Sequence, residues 1–297
     1  MADLPRISMI VPNVNGAGTL GETLDSLREQ RYANLEVIAV DGGSTDGSAE
    51  ILRARQGELA WWVSETDRGQ SHAINKGIER ATGEVLGWIN SDDVLLPGAL
   101  SRVGAHFRDN PACDVLSGVT VVRRLGPGGG TRLWAPKPSH LRVAVCRAAL
   151  PQQSTFFHKR VVRRTPLIDE SLHYTMDVEL WCYLLSQGAR VEMIEEQLAE
   201  FREHPAAKTS TGGEKIVAEL EGIYRRYCPG ERVPLTVWSR RLRMPLQRWI
   251  LGLPAPLARL ARRGLDAPLV FTLGLFYGRE RVRAMEWAAF VGPSQRR

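Results

Sequence analysis

The chain has 297 residues, 43% of them hydrophobic, so it can bury a substantial core and lacks the low hydrophobicity of a largely disordered protein. Its net charge of +6 is unevenly distributed: residues 225–297 contain 15 arginines and four acidic side chains, a net +11, which leaves −5 on residues 1–224. Four scattered cysteines without a CxxC pair argue against a structural zinc site and a disulfide framework, and they favour a reducing cytoplasm.

The first hundred residues alternate between strand and helix patterns. Apolar runs at 7–11 and 35–40 are typical of buried parallel strands, and apolar residues at helical spacing follow them at 20–27 and 48–55. The alternation continues with a strand at 61–63, a helix at 71–80 and a strand at 84–90. This order predicts an α/β fold with a Rossmann-like, mostly parallel sheet flanked by helices. The first apolar run is also too short for a signal peptide or a membrane span.

Ligands of such a sheet bind at the carboxyl ends of its strands. Three of the predicted strands end there in polar loops, namely Pro12-Asn13, Asp41-Gly42 and residues 90–93. We therefore expect these three loops to share one rim of the sheet.

The second half of the chain has weaker patterns. The run Gly-Pro-Gly-Gly-Gly at 126–130 predicts a loop or hairpin tip, and regular structure is expected to resume near Gln152. Residues 175–187 predict an amphipathic helix and 189–195 a strand. The domains expected are 1–212, with a donor half at 6–125 and an acceptor half at 126–212, and a helical, Arg-rich extension at 213–297.

The segment Asn90-Ser91-Asp92-Asp93 holds two adjacent carboxylates at a strand end. Oxygen ligands of this kind suit Mg²⁺ or Mn²⁺, and such an ion neutralises charge as a nucleoside diphosphate departs. The alternative is that Asp92 or Asp93 caps the helix predicted at 97–107.

Six short motifs occur in a fixed order along the chain. They are Val11-Pro12-Asn13-Val14-Asn15, Val40 to Gly47, Asp67-Arg68-Gly69-Gln70, Asn75-Lys76-Gly77, Thr82-Gly83-Glu84 and Trp88 to Asp93. The series resembles the inverting family 2 glycosyltransferases of GT-A fold that build bacterial polysaccharides and cell envelopes. The resemblance covers residues 6–125 strongly and 150–210 moderately. It implies transfer of a sugar from a nucleotide-diphosphate sugar, with a UDP-sugar favoured, to a hydroxyl of a saccharide or lipid-linked saccharide.

The resemblance also assigns a donor site that uses a divalent cation, Mn²⁺ or Mg²⁺. Asp41 matches the acid that receives the NH of a uracil-type base, and Asp93 matches the main metal ligand, with Asp92 on the ribose or the metal. The implied nucleotide-sugar contacts are Pro12, Asn13, Asn15, Asp41, Arg68, Gly69, Asn90, Ser91 and Asp92. As alternatives, Asp41 is a turn residue and Arg68 forms a surface ion pair with Asp67 or Glu65.

Two positions depart from the family pattern. Val14 stands where the family often has an aromatic residue, and Asn90 stands where it often has an aspartate. Because valine cannot stack on a base, the first departure bears on the choice of nucleotide, whereas the second leaves Asp92 and Asp93 in place.

On the acceptor side, Asp177 matches the acid that deprotonates the acceptor hydroxyl in an inverting transfer. As alternatives, Asp177 only meets the dipole of its helix, or Glu179 is the base. The implied acceptor or sugar pocket consists of Gln153, Ser154 and Trp181, of which Trp181 could equally be core. His204 matches a C-terminal histidine that reaches back to the metal or the diphosphate.

The C-terminal tail combines tryptophans with arginines, for example Trp238 and Trp249 with Arg240 and Arg248. This composition is compatible with a helix on an anionic membrane, although such stripes are more often packing helices. We expect no nucleic-acid partner and a cytoplasmic protein, with peripheral contact to the inner face of the cytoplasmic membrane as an open alternative.

Three other functional classes are alternatives to sugar transfer. A sugar nucleotidyltransferase needs a basic, Gly-rich triphosphate loop, but residues 13–18 contain no lysine or arginine. A dinucleotide-dependent dehydrogenase needs a GxGxxG turn, which the chain lacks after its first strand. A non-catalytic module that binds nucleotide sugars or glycans would keep Asp41 and Asp93 without needing Asp177, and the sequence leaves it open.

Overall fold

The computed structural model describes residues 4–125, 129–136, 141–142, 147–148, 150–204, 207–208 and 212–227. Its strands are β1 (Ile7–Asn13), β2 (Leu35–Asp41), β3 (Trp61–Ser64), β4 (Val85–Trp88), β5 (Val94–Leu95), β6 (Val115–Arg124), β7 (Gly130–Trp134), β8 (Leu141–Arg142), β9 (Arg147–Ala148), β10 (Thr155–His158) and β11 (Val191–Glu203). Its helices are α1 (Ala17–Arg28), α2 (Ser48–Ala54), α3 (Gln70–Arg80), α4 (Ala99–Asp109), α5 (Met176–Ser186) and α6 (Gly213–Tyr227).

One nine-stranded sheet organises the chain, in the order β3-β2-β1-β4-β10-β6-β11-β5, with β7 paired to β6. The four N-terminal strands of this order are mutually parallel, as the strand and helix alternation predicts. Strand β10 is antiparallel to both of its neighbours, whereas β6 and β11 are parallel to each other. The predicted α/β fold with a mostly parallel sheet is therefore confirmed.

The core consists of two layers, one on each face of the sheet. Alternate residues of β1 point to opposite faces, so Ile10 packs with α3, α5 and α6 while Met9 and Val11 pack with α1, α2 and α4. Helix α3 crosses β1 so closely that a Cβ added to Gly77 would lie 2.5 Å from Cγ2 of Ile10. The glycine thus permits a close contact between helix and strand directly below the rim.

Helix α6 belongs to the same core, although its residues fall in the predicted C-terminal extension. Val217, Leu220, Ile223 and Tyr224 are buried among side chains that include Trp181 of α5. Residues 213–227 therefore pack against the unit predicted for residues 1–212 rather than apart from it.

Several predictions for the C-terminal part concern residues outside the described ranges. The tail with Trp238 and Trp249 is among them, so the membrane-contact prediction has no structural counterpart here. Within the part of the chain that the structure describes, no helix is both long and apolar enough to cross a bilayer.

Candidate active site

The carboxyl ends of β1, β2 and β4 meet at one rim, the arrangement that the strand pattern predicts. Asn13 at the end of β1 lies in register with Asp41 at the end of β2. A Cβ on Gly16 would lie 2.2 Å from Asn13 Oδ1 and 2.7 Å from Ser91 Oγ, so the loop after β4 lies against the loop after β1. This rim is the only place where the predicted donor-site loops converge among the described residues.

Asp41 is fully buried and anchors the rim. Its carboxylate accepts hydrogen bonds from Asn13 Nδ2 (2.6 Å), Ser64 Oγ (2.6 Å), and the N–H (2.9 Å) and hydroxyl of Ser44. Burial alone would raise the pKa of Asp41, but the hydrogen bonds from Ser44, Ser64 and Asn13 outweigh it and hold the pKa below its ordinary value. The hydrogen bonds from Ser44 to Asp41 stabilise a turn, which is the alternative role predicted for Asp41. For Asp41 to bind the NH of a base, one of its present side-chain donors must first move away.

The loop after β1 is tied to the loop after β2. Asn15, at φ +50°, donates its N–H to Ser44 Oγ (2.7 Å) and accepts from the N–H of Thr45 (3.0 Å). Pro12 and Asn13 are buried beneath these contacts, and the buried Oδ1 of Asn13 has no hydrogen-bond partner in the described structure. An orphaned acceptor at a rim is a position where a ligand donor fits.

The two aspartates after β4 have different environments. Asp93 is fully buried, and its carboxylate accepts from the Arg202 N–H (3.0 Å), Gln153 Nε2 (3.1 Å) and Asn90 Nδ2 (3.4 Å). Burial, followed by the negative charge of Asp92, raises the pKa of Asp93. Helix α4 starts at Ala99 without a side-chain cap, so neither aspartate has the capping role weighed as the alternative.

Asp92 is the more open of the two, with 30% of its side chain exposed, and it contacts His204. His204 Nε2 lies 3.1 Å from Asp92 Oδ2, across 112 residues of sequence. The long strand β11, predicted only for 189–195, continues to Glu203 and so carries His204 to the rim. The structure therefore places Asp92, rather than Asp93, beside the predicted histidine.

The predicted acceptor-pocket residues lie deeper. Ser154 is fully buried, and its hydroxyl contacts Thr120 Oγ1 (2.6 Å), while Trp181 is 1% exposed and stacks on Trp88 with ring centroids 6.0 Å apart. In this structure neither side chain offers an open surface to an acceptor, so Trp181 matches the core alternative. Gln153 instead supports the acidic loop, and its Oε1 is buried without a partner in the described structure.

Arg68 extends from the rim, with 67% of its side chain exposed. Its Nε (3.0 Å) and Nη2 (2.6 Å) both donate to Glu170 Oε2, so the ion pair expected as the alternative exists with Glu170 rather than with Asp67 or Glu65. Gly69, at φ +114°, directly precedes α3, and a Cβ placed there would meet nothing within 4 Å. This segment therefore faces open space.

Asp177 is the second residue of α5, and its half-buried carboxylate accepts from its own N–H and from the Val178 N–H. The pKa of Asp177 is raised to about 6, mainly by burial and to a smaller extent by the charge of Glu219, while the two backbone N–H groups and the charge of Lys208 oppose the rise. A carboxyl group that titrates this close to neutrality suits general-base chemistry. The position of Asp177 in the first turn of α5 also suits the alternative role, in which its charge only meets the helix dipole.

Glu179, the alternative base, is fully buried in ion pairs. Its carboxylate contacts both Nη atoms of Arg164, one of them at 3.0 Å, as well as Arg226 and the hydroxyl of Tyr227. A carboxylate held by three partners in the interior is a structural group, so the structure favours Asp177 over Glu179.

A polar chain connects the acidic loop with the surroundings of Asp177. Lys208 Nζ donates to Gln70 Oε1 (3.1 Å), and Gln70 Nε2 donates to Asn90 Oδ1 (2.7 Å). The charge of Lys208 in turn lowers the pKa of Asp177, and the charge of Asp177 raises the pKa of Lys208. The sequence did not single out Gln70 or Lys208 as site residues, although Gln70 directly follows Gly69 in a recognised motif.

A second group of potential metal ligands lies at the opposite end of the sheet, formed by His106, Cys113 and Glu192. His106 Nε2 and Glu192 Oε2 are 2.8 Å apart, the distance of a direct hydrogen bond. Burial, together with the charge of Glu192, raises the pKa of Cys113 to about 12. Since the thiolate is the form that binds metals, this group is a poorer cation site than the rim.

Known proteins that resemble this chain agree with the fold described above. A family model described as glycosyl transferase family 2 matches residues 8–166, more than half of the chain. The chain belongs to this family. It is therefore a glycosyltransferase, and the observed sheet is the GT-A fold that the family resemblance implies.

Relatives in family 2 match over different lengths. A glycosyltransferase of Rickettsia typhi is 28% identical over 231 residues, which cover 74% of this chain and 70% of the relative. A PGL/p-HBAD biosynthesis glycosyltransferase of Mycobacterium tuberculosis is 35% identical over 123 residues, 40% of this chain and 48% of the relative.

Two solved structures share the fold. TarS of Staphylococcus aureus in complex with UDP-GlcNAc has a TM-score of 0.58 and 17% identity, over 94% of this chain and 89% of that chain. The mannosyltransferase PcManGT of Pyrobaculum calidifontis, in complex with GDP-Man and Mn²⁺, has a TM-score of 0.60 and 20% identity, over 96% and 86%. Because they cover 94% and 96% of this chain, the likeness in fold extends beyond residues 8–166.

Proposed function

We propose that this glycosyltransferase transfers a sugar, with inversion, from a nucleotide-diphosphate sugar to a hydroxyl of a saccharide or lipid-linked saccharide. The observation that carries the proposal is the hydrogen-bonded chain from Asn90 of the acidic loop through Gln70 to Lys208, whose charge acts on Asp177. It supports a site in which a carboxyl group of raised pKa, about 6, and the acidic loop are close enough for an acceptor hydroxyl to meet the sugar.

The donor would bind across the rim, with its base toward Asn13 and Asp41 and its diphosphate toward Arg68, Gly69 and the acidic loop. The exposed Arg68 is free of tight packing, so it can leave Glu170 and bind phosphate oxygens bidentately. We prefer a UDP-sugar as the donor, in line with the UDP-GlcNAc complex of TarS. Because PcManGT forms a complex with GDP-Man, GDP-sugars should be tested beside UDP-sugars. The exposed Val14 supplies no aromatic platform for either base.

The residues of the acidic loop fit a divalent cation. Asp92 and His204 offer an oxygen and a nitrogen ligand at an accessible rim. Burial and then the charge of Asp92 raise the pKa of Asp93, a shift that a bound cation would oppose. Asp92 and His204 would hold the ion, and Asp93 would reach it only after releasing Gln153 or Asn90. When bound, Mn²⁺ or Mg²⁺ supplies positive charge to the diphosphate of the leaving group.

Asp177 would accept the proton of the acceptor hydroxyl as that oxygen attacks the anomeric carbon and the nucleoside diphosphate leaves on the opposite side. Its carboxylate is ionised above its pKa of about 6 and can take the proton at neutral pH. A lipid-linked acceptor would agree with peripheral membrane contact by the Arg-rich tail, and a role in cell-envelope synthesis is what the family resemblance implies.

The test does not need the natural acceptor, because water can take its place. The full chain is incubated with UDP-sugars and GDP-sugars, with Mn²⁺ or with EDTA, and release of the nucleoside diphosphate is followed together with the first-formed anomer of the sugar by NMR. We expect metal-dependent release of a sugar whose anomeric configuration is opposite to that of the donor. A retained configuration would refute both inversion and the role of Asp177.

The same assay separates the alternatives. Donor binding without any turnover, with water or with a panel of saccharide and lipid-linked acceptors, would indicate the non-catalytic binding module. Turnover of a nucleoside triphosphate with a sugar phosphate would indicate the nucleotidyltransferase.

A further inference from the structure

Glu219 of α6 binds the segment that leads into α5. Its carboxylate accepts from the N–H groups of His173 (2.8 Å), Tyr174 (2.9 Å) and Thr175 (2.9 Å), and from the hydroxyl of Thr175 (2.9 Å). One side chain thus engages three successive backbone donors that lie 44 to 46 residues away in sequence.

These contacts hold the backbone that leads into α5. Thr175 is the N-cap residue of α5, but its side chain makes no capping hydrogen bond and instead donates to Glu219. Backbone N–H groups need acceptors, and a carboxylate is a strong one. The carboxylate of Asp177 accepts hydrogen bonds from the N–H groups of Asp177 and Val178 in the first turn, whereas a residue of α6 fixes the three residues before that turn.

Helix α6 is itself held firmly against α5. Val217 and Leu220, which flank Glu219 on the helix, are buried in the core, and Tyr227 at the far end donates to Glu179 of α5. Because the middle of α6 is packed in the core and its C-terminal end is bonded to α5, Glu219 has little freedom to move relative to the start of α5.

We propose that Glu219 is a positioning residue for Asp177: by binding residues 173–175 it fixes the first turn of α5 and thus the place of the Asp177 carboxylate. The inference rests on the proposed function, in which Asp177 is the base. Two charged groups outside α5 shift the pKa of Asp177. Glu219 of α6 raises it, and Lys208, which precedes α6 in the chain, lowers it. Glu219 therefore influences both the position of the base and its charge.

The experiment compares Glu219→Ala and Glu219→Gln with the matched control Val217→Ala, which perturbs the same helix and keeps the carboxylate that binds residues 173–175. Donor hydrolysis is measured across pH, the affinity for UDP with Mn²⁺ by calorimetry, and backbone exposure of residues 173–175 by hydrogen–deuterium exchange. Because misplacement of a catalytic group by about 1 Å can cost about 100-fold, we expect kcat of Glu219→Ala to fall by up to that factor. The affinity for UDP should stay at the wild-type value.

Glu219→Gln keeps one acceptor oxygen and removes the charge, so its kcat should lie between those of the wild type and Glu219→Ala. Loss of the negative charge should also move the acidic limb of its pH profile to lower pH, which a purely structural role would not do. Exchange at residues 173–175 should rise in Glu219→Ala and stay at the wild-type level in Val217→Ala.

Unchanged exchange in Glu219→Ala, or an equal loss of kcat in Val217→Ala, would overturn the inference. The variant Asp177→Asn, measured in parallel, distinguishes failure of the positioning role from failure of the proposed function. An inactive Asp177→Asn beside a fully active Glu219→Ala refutes the positioning role alone, whereas a fully active Asp177→Asn refutes the proposed function and the positioning of a base with it.

Discussion

Replacing Asp177 with asparagine keeps the size of the side chain at the start of α5 and removes its ability to accept a proton. General-base catalysis contributes about 10²- to 10⁴-fold, so kcat for donor turnover should fall by that factor. At about 1.4 kcal/mol per tenfold change, the barrier rises by about 3 to 6 kcal/mol. The affinity for UDP should be unchanged, because the assigned donor contacts lie at the rim.

The pH dependence adds a second, independent quantity. The pKa of Asp177 is raised from 3.8 to about 6, so the base is ionised above pH 6 and becomes protonated below it. The rate of the wild type should therefore drop about tenfold for each pH unit below 6, whereas an ordinary aspartate would keep the rate constant down to about pH 4.

The assay is release of the nucleoside diphosphate between pH 4 and 9, with the matched control Asp109→Asn. Asp109 is an exposed carboxylate of α4 paired with Arg108, so its replacement should leave the rate and the pH profile unchanged. A wild-type rate that stays constant to pH 4, or an Asp177→Asn variant with wild-type kcat, would show that this carboxyl is not the base.

Three further outcomes are expected. Asp92→Asn should weaken binding of UDP with Mn²⁺ by about tenfold or more, since the ion stabilises diphosphate charge by several kcal/mol, and should leave binding of UDP in EDTA unchanged in calorimetry. Arg164→Ala should lower the free energy of unfolding in urea by about 3 kcal/mol, because it leaves the buried Glu179 with less compensating charge. Arg108→Ala, which removes an exposed ion pair, should change the free energy of unfolding much less. Arg68→Ala should change the unfolding free energy by less than about 1 kcal/mol yet weaken donor binding, and an unchanged affinity would remove Arg68 from the diphosphate site.

The sequence by itself determined the donor half of the fold. Hydrophobic periodicity is a local property, so the strands β1 to β4 and the helices between them follow from it, and the parallel order then requires their carboxyl ends to meet. The acidic pair after β4 and the aspartate at the start of α5 were likewise visible, because each directly adjoins a regular element. The strand β6 escaped prediction, because Ser117, Gly118 and Thr120 interrupt its apolar run although all three are buried.

Only the tertiary structure decided which partners these residues have. Asp92 and Asp93 are neighbours with equal chemistry, yet the packing of β11 and Gln153 buries one of them and leaves the other beside His204. The choice of Asp177 over Glu179 depends on Arg164, Arg226 and Tyr227, and the support for Asp177 comes from Glu219; none of these is close enough in sequence to be seen in a motif. Hydrogen bonds and ion pairs over 15 to 112 residues arise from how elements pack, and a linear pattern contains no distance in space.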